Sequence, residues 1–262
     1  MKVNNKVIVV TGGGNGVGRE LVFSLLKKGS RVAAVDINEK GLNETYRLSG
    51  KNSRLSLHTV NIADQEAVNS LVESVVKHHG RVDGVINNAG IIQPFIPVDE
   101  IDMDKINRVM NVNFFGTLYM SKAFLPELKK RPEAHLTNVS SMGGFFPVPG
   151  QSIYGASKAA VKLLTEGMYA ELADTKVGVS VVIPGGITTN IMKNSGFEIK
   201  TNDVKAMGEK LLLTPKKAAD LIISSIEKNK FRMFIGVDSM ALNIIYKFSP
   251  KLAIKIIKVF LH

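Results

Sequence analysis

The chain has 262 residues and no cysteine. This absence excludes disulfide bonds, thiolate catalysis and cysteine-ligated zinc, and it is compatible with a reducing cytoplasm. Histidine is also scarce, and the five His residues have no spacing typical of metal ligands, so we predict no metal site. The first apolar run, Val7–Val10, is too short for the core of a signal peptide. We therefore expect a cytoplasmic protein.

Acidic residues are outnumbered: 34 Lys and Arg face 23 Asp and Glu, which gives a net charge of +11. The excess is concentrated at the end of the chain, because Lys228–His262 contains seven basic residues and one acid, Asp238. The rest of the chain is only mildly basic. Binding to nucleic acid would rest on charge alone, without a recognition motif, and we predict none.

Apolar, β-branched runs alternate with helical patterns along most of the chain. This alternation predicts a single-domain α/β fold, a doubly wound parallel sheet of about seven strands with helices on both faces. We assign residues 1–236 to this α/β domain, and residues 237–262 to a basic amphipathic C-terminal extension. The predicted crossover helices are Val17–Lys28, Asp64–Lys77, Asp102–Lys129 and Ser152–Asp174.

A glycine-rich segment follows the first predicted strand with the spacing T-G-x-x-x-G-x-G. Glycine lets the backbone turn tightly and approach a pyrophosphate, and the N-terminus of the following helix attracts the negative charge. This position, between a first strand and a first helix, favours a dinucleotide site over a purely structural turn. The candidate cofactor-binding residues are Thr11, Gly12, Asn15, Gly16, Val17 and Gly18.

Asp36 ends the second predicted strand, 18 residues after Gly18. A carboxylate in this position accepts hydrogen bonds from ribose hydroxyls and repels a 2′-phosphate, so we predict NAD as the cofactor in preference to NADP. A cap on the following helix is the alternative role for Asp36.

Tyr154 and Lys158 lie four residues apart in the stretch SIYGASK. On a helix they share one face, where a lysine ammonium would lower the pKa of a phenol from its usual value of about 10. Tyr154 would then be a usable acid or base. Taken alone, the pair favours an ordinary amphipathic helix that carries both residues, because short motifs often occur by chance.

Several motifs in order resemble the short-chain dehydrogenase/reductase family in its single-domain branch, over about Lys6–Gly236. They are Thr11-Gly12 with Gly16 and Gly18, Asn87-Asn88-Ala89-Gly90, Asn113 in NFFG, Ser141 in NVSSMGG, Tyr154 with Lys158, and Pro184-Gly185 with Thr189. The resemblance implies a Rossmann fold, a nicotinamide cofactor, and a homodimer or homotetramer formed through the helices that contain Asn113 and Tyr154.

The resemblance also implies roles for four catalytic residues. Tyr154 would exchange a proton with the substrate oxygen while a hydride moves to or from the nicotinamide, and Ser141 would hydrogen-bond the same oxygen. Lys158 would hold the nicotinamide ribose and lower the Tyr154 pKa. Asn113 would join a proton relay through water. The implied activity is an NAD-preferring oxidoreductase acting on a secondary alcohol or ketone.

Further cofactor contacts follow from the same resemblance. Asn88–Gly90 would approach the adenine-side ribose, and Ile187 and Thr189 would contact the carboxamide. The family usually has an acid after the third strand, where this chain has Asn61-Ile62; Asn61 keeps an acceptor for the adenine amine. The implied cofactor residues are Asn61, Ile62, Asn88, Ala89, Gly90, Tyr154, Lys158, Pro184, Gly185, Ile187 and Thr189.

Two other functions are alternatives to this activity. A catalytically weak NAD(H)-binding redox sensor or regulator would be free to lose the tyrosine or lysine, and this chain retains both. A nucleotide-sugar epimerase or dehydratase usually has a different glycine spacing and a larger C-terminal substrate domain.

Apolar residues surround the implied substrate position and favour an apolar small-molecule substrate, with ordinary core packing as the alternative. They are Ile91, Ile92, Phe95, Phe145, Phe146, Val148, Ile191, Met192, Phe197 and Met207. The segment 190–210, rich in Lys, Asn and Gly, has the composition of a mobile lid.

The C-terminal segment has Lys251, Lys255 and Lys258 at i, i+4 and i+7, beside apolar residues. A basic amphipathic helix binds well at an anionic membrane surface, which predicts a peripheral membrane contact. A helix packed over the active site or in a subunit interface is the alternative. Pro250 and the lysines rule out a membrane span of roughly 20 apolar residues.

Overall fold

The computed structural model describes residues 1–188 and 212–261 together with Ile191 and Ser195, and for residues 256–261 it describes the backbone only. Strands and helices alternate along the chain. The strands are β1 (Val7–Thr11), β2 (Arg31–Asp36), β3 (Leu55–Thr59), β4 (Gly84–Asn87), β5 (Ala134–Val139), β6 (Val177–Pro184) and β7 (Arg232–Ile235). The α-helices are α1 (Gly16–Lys27), α2 (Glu39–Leu48), α3 (Gln65–His79), α4 (Met103–Met110), α5 (Gly116–Lys129), α6 (Ser152–Glu171), α7 (Pro215–Glu227), α8 (Val237–Phe248) and α9 (Pro250–Leu261).

The strands form one parallel sheet in the order β3-β2-β1-β4-β5-β6-β7. This order confirms the predicted doubly wound α/β fold. The chain winds away from β1 in both directions, so β1 and β4 are neighbours although two strands separate them in sequence. A crevice opens at such a point beyond the carboxyl ends of the strands, and it is the usual ligand site of this architecture.

Both faces of the sheet are buried, which explains the near-continuous apolar runs in the strands. Ile8 and Val10 of β1 lie in one core, with residues of α1 and α7. Val9, which points to the opposite face, lies in the other core with residues of α3 and α5. Every residue of β1 and β5 is buried.

The predicted helix Asp102–Lys129 is one helical segment with an interruption. Between α4 and α5, residues Asn111–Phe115 form a turn of π-helix. Such a turn accommodates one extra residue and is frequent at functional sites. Asn113 lies at its centre and is fully buried.

Two side chains at the start of α8 attach the C-terminal helices to the sheet. Asp238 Oδ2 accepts a 2.6 Å hydrogen bond from the Gly186 backbone N–H, and Ser239 Oγ donates one of 3.0 Å to the Ile183 carbonyl. Over the part of the chain that the structure describes, no helix has the length and apolar character needed to cross a bilayer. The division of the chain at residue 236 stays a prediction.

Candidate active site

The glycine-rich turn connects β1 to α1 with backbone angles that favour glycine. Gly12 and Gly16 have φ values of +72° and +51°. Gly18 is required for another reason, because a Cβ there would lie 1.9 Å from the Gly12 carbonyl oxygen. The first turn of α1 contains no acidic residue, so its positive end is not neutralised by a carboxylate. This turn therefore has the geometry and charge that suit a pyrophosphate.

Two predicted cofactor motifs are bonded to each other. Thr11 Oγ1 accepts hydrogen bonds from the backbone N–H groups of Asn88 and Ala89, at 2.9 and 3.0 Å. Asn88 Nδ2 donates to the Thr11 carbonyl at 3.0 Å. These bonds join the ends of β1 and β4 at the crevice.

Asp36 faces the same crevice from β2. Its Oδ2 accepts a hydrogen bond from the Gly14 N–H and its Oδ1 accepts one from the Asn38 N–H, both at 2.9 Å. The cap of α2 is Asn38, whose Oδ1 accepts from the Gly41 N–H at 3.1 Å. Asp36 therefore fixes the glycine-rich turn, and the alternative of a helix cap is wrong.

These elements line a cleft of about 640 Å³. Its size, its glycine-rich wall and the carboxylate at one end fit a dinucleotide. The predicted residues that line it are Gly12, Asn15, Gly16, Val17, Asp36, Asn61, Ile62, Asn88, Ala89 and Gly90. Sequence reasoning missed its wall from the α4 side, formed by Asp104, Asn107, Arg108 and Asn111; no motif marks these residues.

The side chains of Ser141 and Tyr154 lie next to each other, within hydrogen-bonding reach, and both border Gly143, where a Cβ would be 3.6 Å from Ser141 Oγ and 3.3 Å from Tyr154 Cε1. Ser141 lies just after β5, where its Oγ also accepts from the Gly143 N–H at 3.1 Å. Burial raises the pKa of Tyr154, and the hydrogen bond with Ser141 acts in the opposite direction. The sequence predicted a lowered pKa for Tyr154, and the structure gives a raised one. The loss of solvation of the phenolate outweighs the hydrogen bonding to Ser141.

Lys158 lies one helical turn after Tyr154 on α6 and is only 3% exposed. Its Nζ donates a 3.0 Å hydrogen bond to the Val139 carbonyl at the end of β5. Burial lowers the pKa of Lys158 to about 8. The ammonium lies close to the cofactor motif, since a Cβ on Gly90 would be 3.1 Å from Nζ.

The Asn113 side chain, from the π-helical turn, also lies beside Gly90. Its Oδ1 accepts from the Ile91 N–H, and its Nδ2 donates to the Ile91 carbonyl and to Ser157 Oγ, all at 2.9 Å. A Cβ on Gly90 would be 3.3 Å from Asn113 Oδ1. Glycine at position 90 thus leaves room for both Asn113 and Lys158.

Gln93 is a site residue that sequence reasoning missed. It is fully buried, and its Oε1 accepts hydrogen bonds from the backbone N–H groups of Ile153 and Tyr154, at 2.8 and 2.9 Å. Its Nε2 donates to the Gly150 carbonyl at 2.9 Å. Gln93 therefore caps α6 from a distant loop and fixes the backbone of Tyr154. One polar residue within the apolar stretch IIQPF was the available signal.

The loop after β6 is held by the C-terminal helices. The Gly186 N–H donates a hydrogen bond to Asp238, as described above. Gly185 lets the Asp238 side chain approach the backbone closely, because a Cβ on Gly185 would lie 2.1 Å from Asp238 Oδ1. Ile187 pairs with Leu213 in a parallel bridge. Pro184 ends β6, and neither it nor Gly185 or Ile187 lines the cleft described above. Thr189 lies outside the described residues.

The apolar residues predicted around the substrate differ in burial. Phe146 is fully buried and packs with Ala253 and Tyr246 of the C-terminal helices, so it belongs to a small core. Phe95 is 54% exposed, and its backbone lies beside Gly150. Met192, Phe197 and Met207 lie outside the described residues, as does the proposed lid 190–210 except Ile191 and Ser195.

No group of three or more His, Asp or Glu side chains that could hold a metal ion occurs in the described part of the chain.

Comparison with known proteins gives consistent matches. The model of the short-chain dehydrogenase family matches residues 6–199. A putative oxidoreductase, SadH, of Mycobacterium tuberculosis is 34% identical over 92% of this chain and 89% of its own length.

Two solved structures have the same fold. A short-chain dehydrogenase/reductase from Burkholderia phymatum in complex with NAD has a TM-score of 0.86 and 24% identity, with 96% of each chain covered. A short-chain dehydrogenase from Burkholderia cenocepacia in complex with NADP has a TM-score of 0.81 and 27% identity, covering 98% of this chain and 99% of its own.

Proposed function

The chain belongs to the short-chain dehydrogenase family, and we propose that it transfers a hydride between a nicotinamide cofactor and a secondary alcohol or ketone. The observation that carries the proposal is the adjacent side chains of Ser141 and Tyr154, which both border Gly143, one helical turn from the buried ammonium of Lys158. A bound nicotinamide dinucleotide supplies or accepts the hydride. The glycine-rich turn, Asp36 and the Asn88–Gly90 segment are the residues that would hold it.

The protein side chains handle the proton and the position of the substrate oxygen. During reduction, Tyr154 donates its phenolic proton to the carbonyl oxygen, and during oxidation it removes a proton from the alcohol. Ser141 donates a hydrogen bond to the same oxygen and orients it. Since burial raises the Tyr154 pKa, the phenol is protonated at neutral pH, which is the form that reduction requires.

The proposed substrate is apolar. Support comes from the segments on either side of the Ser141–Tyr154 pair, where Phe95, Phe145 and Val148 are not fully buried. Polar anchors other than the catalytic pair are few in these segments, as is typical of sites for apolar ligands.

A panel of secondary alcohols and ketones, graded from long-chain and cyclic compounds to sugars and polyols, tests this proposal. We expect turnover with NAD(H) for the apolar members, with kcat/KM rising as apolar surface is added, by about tenfold for every 1.4 kcal/mol of binding gained in the transition state. Turnover restricted to polar alcohols contradicts the apolar substrate. Tight NADH binding without turnover of any member favours the redox sensor instead.

We also propose that NAD is preferred over NADP. The Asp36 carboxylate lies in the cleft and is held by the Gly14 N–H, where it would repel a 2′-phosphate. Arg19, a basic residue in the first turn of α1, is already bonded to Thr45 Oγ1 and to the Gly14 carbonyl.

Asp36→Asn, which keeps the size of the side chain and removes its charge, is expected to lower the ratio of kcat/KM for NAD to that for NADP by about tenfold or more. Steady-state kinetics with both cofactors measure this ratio. Glu39→Gln is the matched control, because it removes an equal charge three residues away on α2, outside the cleft lining. An unchanged ratio in Asp36→Asn would overturn the assignment.

We further propose that the protein assembles into a homodimer or homotetramer through α5 and α6. Leu163 and Tyr169 of α6 are 69% and 45% exposed, and apolar side chains on a helix surface are common in subunit interfaces.

A further inference from the structure

The outer face of α8 is apolar. Val237, Met240, Ile244 and Phe248 follow one another at helical spacings on one side of the helix, and they are 76%, 54%, 52% and 87% exposed. The water-facing side of a surface helix is normally polar or charged. An exposed apolar stripe of this length indicates a contact that the described part of the chain does not provide.

The inner face of α8 is apolar too, so the helix cannot bury its outer face by rotating. Tyr246 packs against Phe145 and Phe146, with ring centroids 6.4 and 5.9 Å apart. Leu242 and Ile245 join the same cluster. The inner face is thus packed against the segment between Ser141 and Tyr154.

Lysines accompany the exposed stripe. Lys247, Lys251 and Lys255 are exposed, and Leu252 continues the apolar surface onto α9 at 52% exposure. From Ser239 to His262 the sequence has four lysines and no acid. The C-terminal face is defined here by the residues Val237, Met240, Ile244, Lys247, Phe248, Lys251, Leu252 and Lys255.

We propose that the C-terminal face docks on a membrane surface that contains anionic lipids, with α8 and α9 lying in the interface. Apolar side chains enter the boundary of the acyl chains while lysines contact anionic headgroups, which is the pattern of interfacial helices. A second copy of the chain fits less well, because a two-fold contact would bring the lysines of both copies together.

Docking has a consequence for the active site. The inner side of α8 contacts Phe145 and Phe146, which lie between Ser141 and Tyr154. The membrane therefore lies next to the segment that borders the substrate. This part of the inference rests on the proposed function, and it assigns the substrate class as apolar alcohols or ketones dissolved in the lipid.

Sedimentation of the full-length protein with vesicles tests the docking without cofactor or substrate. We expect binding to vesicles of phosphatidylcholine with phosphatidylglycerol to exceed binding to phosphatidylcholine alone by roughly 100-fold, given three exposed lysines. The double variant Ile244→Glu with Phe248→Glu should lose binding by at least about tenfold. Leu48→Glu, which changes a side chain of similar exposure (48%) at the end of α2, is the control and should bind like the wild type.

Three results would overturn the proposal. The first is a wild type that does not sediment with anionic vesicles. The second is equal sedimentation of the wild type and the double variant, which means that another surface binds lipid. The third is a wild-type dimer in size-exclusion chromatography that the double variant abolishes, which means that a second copy covers the face. Turnover on water-soluble substrates is measured separately, so failure of docking and failure of the oxidoreductase activity are distinguishable.

Discussion

Tyr154→Phe is expected to lower kcat by about 10³-fold, within the range of 10² to 10⁴ that general acid–base catalysis contributes. The substitution removes the only atom that we propose exchanges a proton with the substrate, and it leaves the ring in place. Ser141 keeps its hydrogen bond from the Gly143 N–H, so the substrate oxygen still has a donor nearby. The affinity for NADH should change by less than about threefold, because the cleft is lined by other residues.

Steady-state kinetics and a fluorescence titration of NADH measure the two quantities. Tyr169→Phe is the matched control, since it makes the same chemical change on the same helix at a side chain that is 45% exposed. Its kcat should equal that of the wild type. A Tyr154→Phe variant that retains more than about a tenth of the wild-type kcat would refute the proton-transfer role.

Lys158→Met is expected to reduce activity and to raise stability. Activity should fall by about 100-fold or more, because the variant loses the group proposed to position the cofactor ribose. Burial lowers the pKa of Lys158 from 10.5 to about 8, which corresponds to a cost of about 3 kcal/mol for the buried ammonium at pH 7. The variant also loses the hydrogen bond to the Val139 carbonyl, which reduces this gain in stability by about 1 kcal/mol. The free energy of unfolding should therefore rise by about 2 kcal/mol.

The sign of the pH dependence follows from the lowered pKa. Below about pH 8, Lys158 is protonated in both the folded and the unfolded state, and the full cost of burial applies. Between about pH 8 and 10.5, only the unfolded state binds the proton, so the stability of the wild type rises with pH and the advantage of Lys158→Met shrinks. Urea unfolding of both proteins at pH 7 and at pH 9.5, without cofactor, measures this difference.

Lys162→Met is the control for this experiment. Lys162 lies on the same helix but is paired with Glu166 at 3.1 Å and is partly exposed. Its removal should bring no gain in stability and no loss of activity. If Lys158→Met is less stable than the wild type at pH 7, or if its advantage does not depend on pH, the buried ammonium is not the costly group that the geometry indicates.

The fold could be predicted from the sequence because each element has its own local signal. The strands are β-branched runs, and β2 ends at Asp36 as the pattern predicts. The glycines before α1 also have a local cause, since Gly12 and Gly16 have positive φ. Such signals depend on a few neighbouring residues and are visible without the tertiary structure.

The remaining features of the site depend on the tertiary structure. The i, i+4 spacing of Tyr154 and Lys158 predicts that they share a helix face, but the direction of the Tyr154 pKa depends on burial, which spacing does not report. The cap from Gln93 joins residues 61 positions apart. The π-helical turn at Asn113 has no sequence pattern of its own.

The sequence left two interpretations of the C-terminal segment open, a membrane contact and packing over the active site or in a subunit interface. The lysine spacing indicates a basic face on α9, whereas the exposed apolar residues Val237, Met240, Ile244 and Phe248 lie on α8, before the first of those lysines. The inner face of α8 packs on Phe145 and Phe146, in the segment between Ser141 and Tyr154. The membrane contact stays a prediction for the outer face.

Gln93 sets a condition for exchanging substrate loops between relatives. A graft of residues 141–154 would bring in the catalytic serine and tyrosine, and it would leave behind the side chain that caps α6 and holds Gly150. The recipient would then have its own residue at position 93. The hydrogen-bond donor and acceptor of that residue need not match the backbone groups that Gln93 binds here. A loop exchange in this protein should therefore treat Gln93 and the segment 141–154 as a single module, although nearly 50 residues of chain separate them.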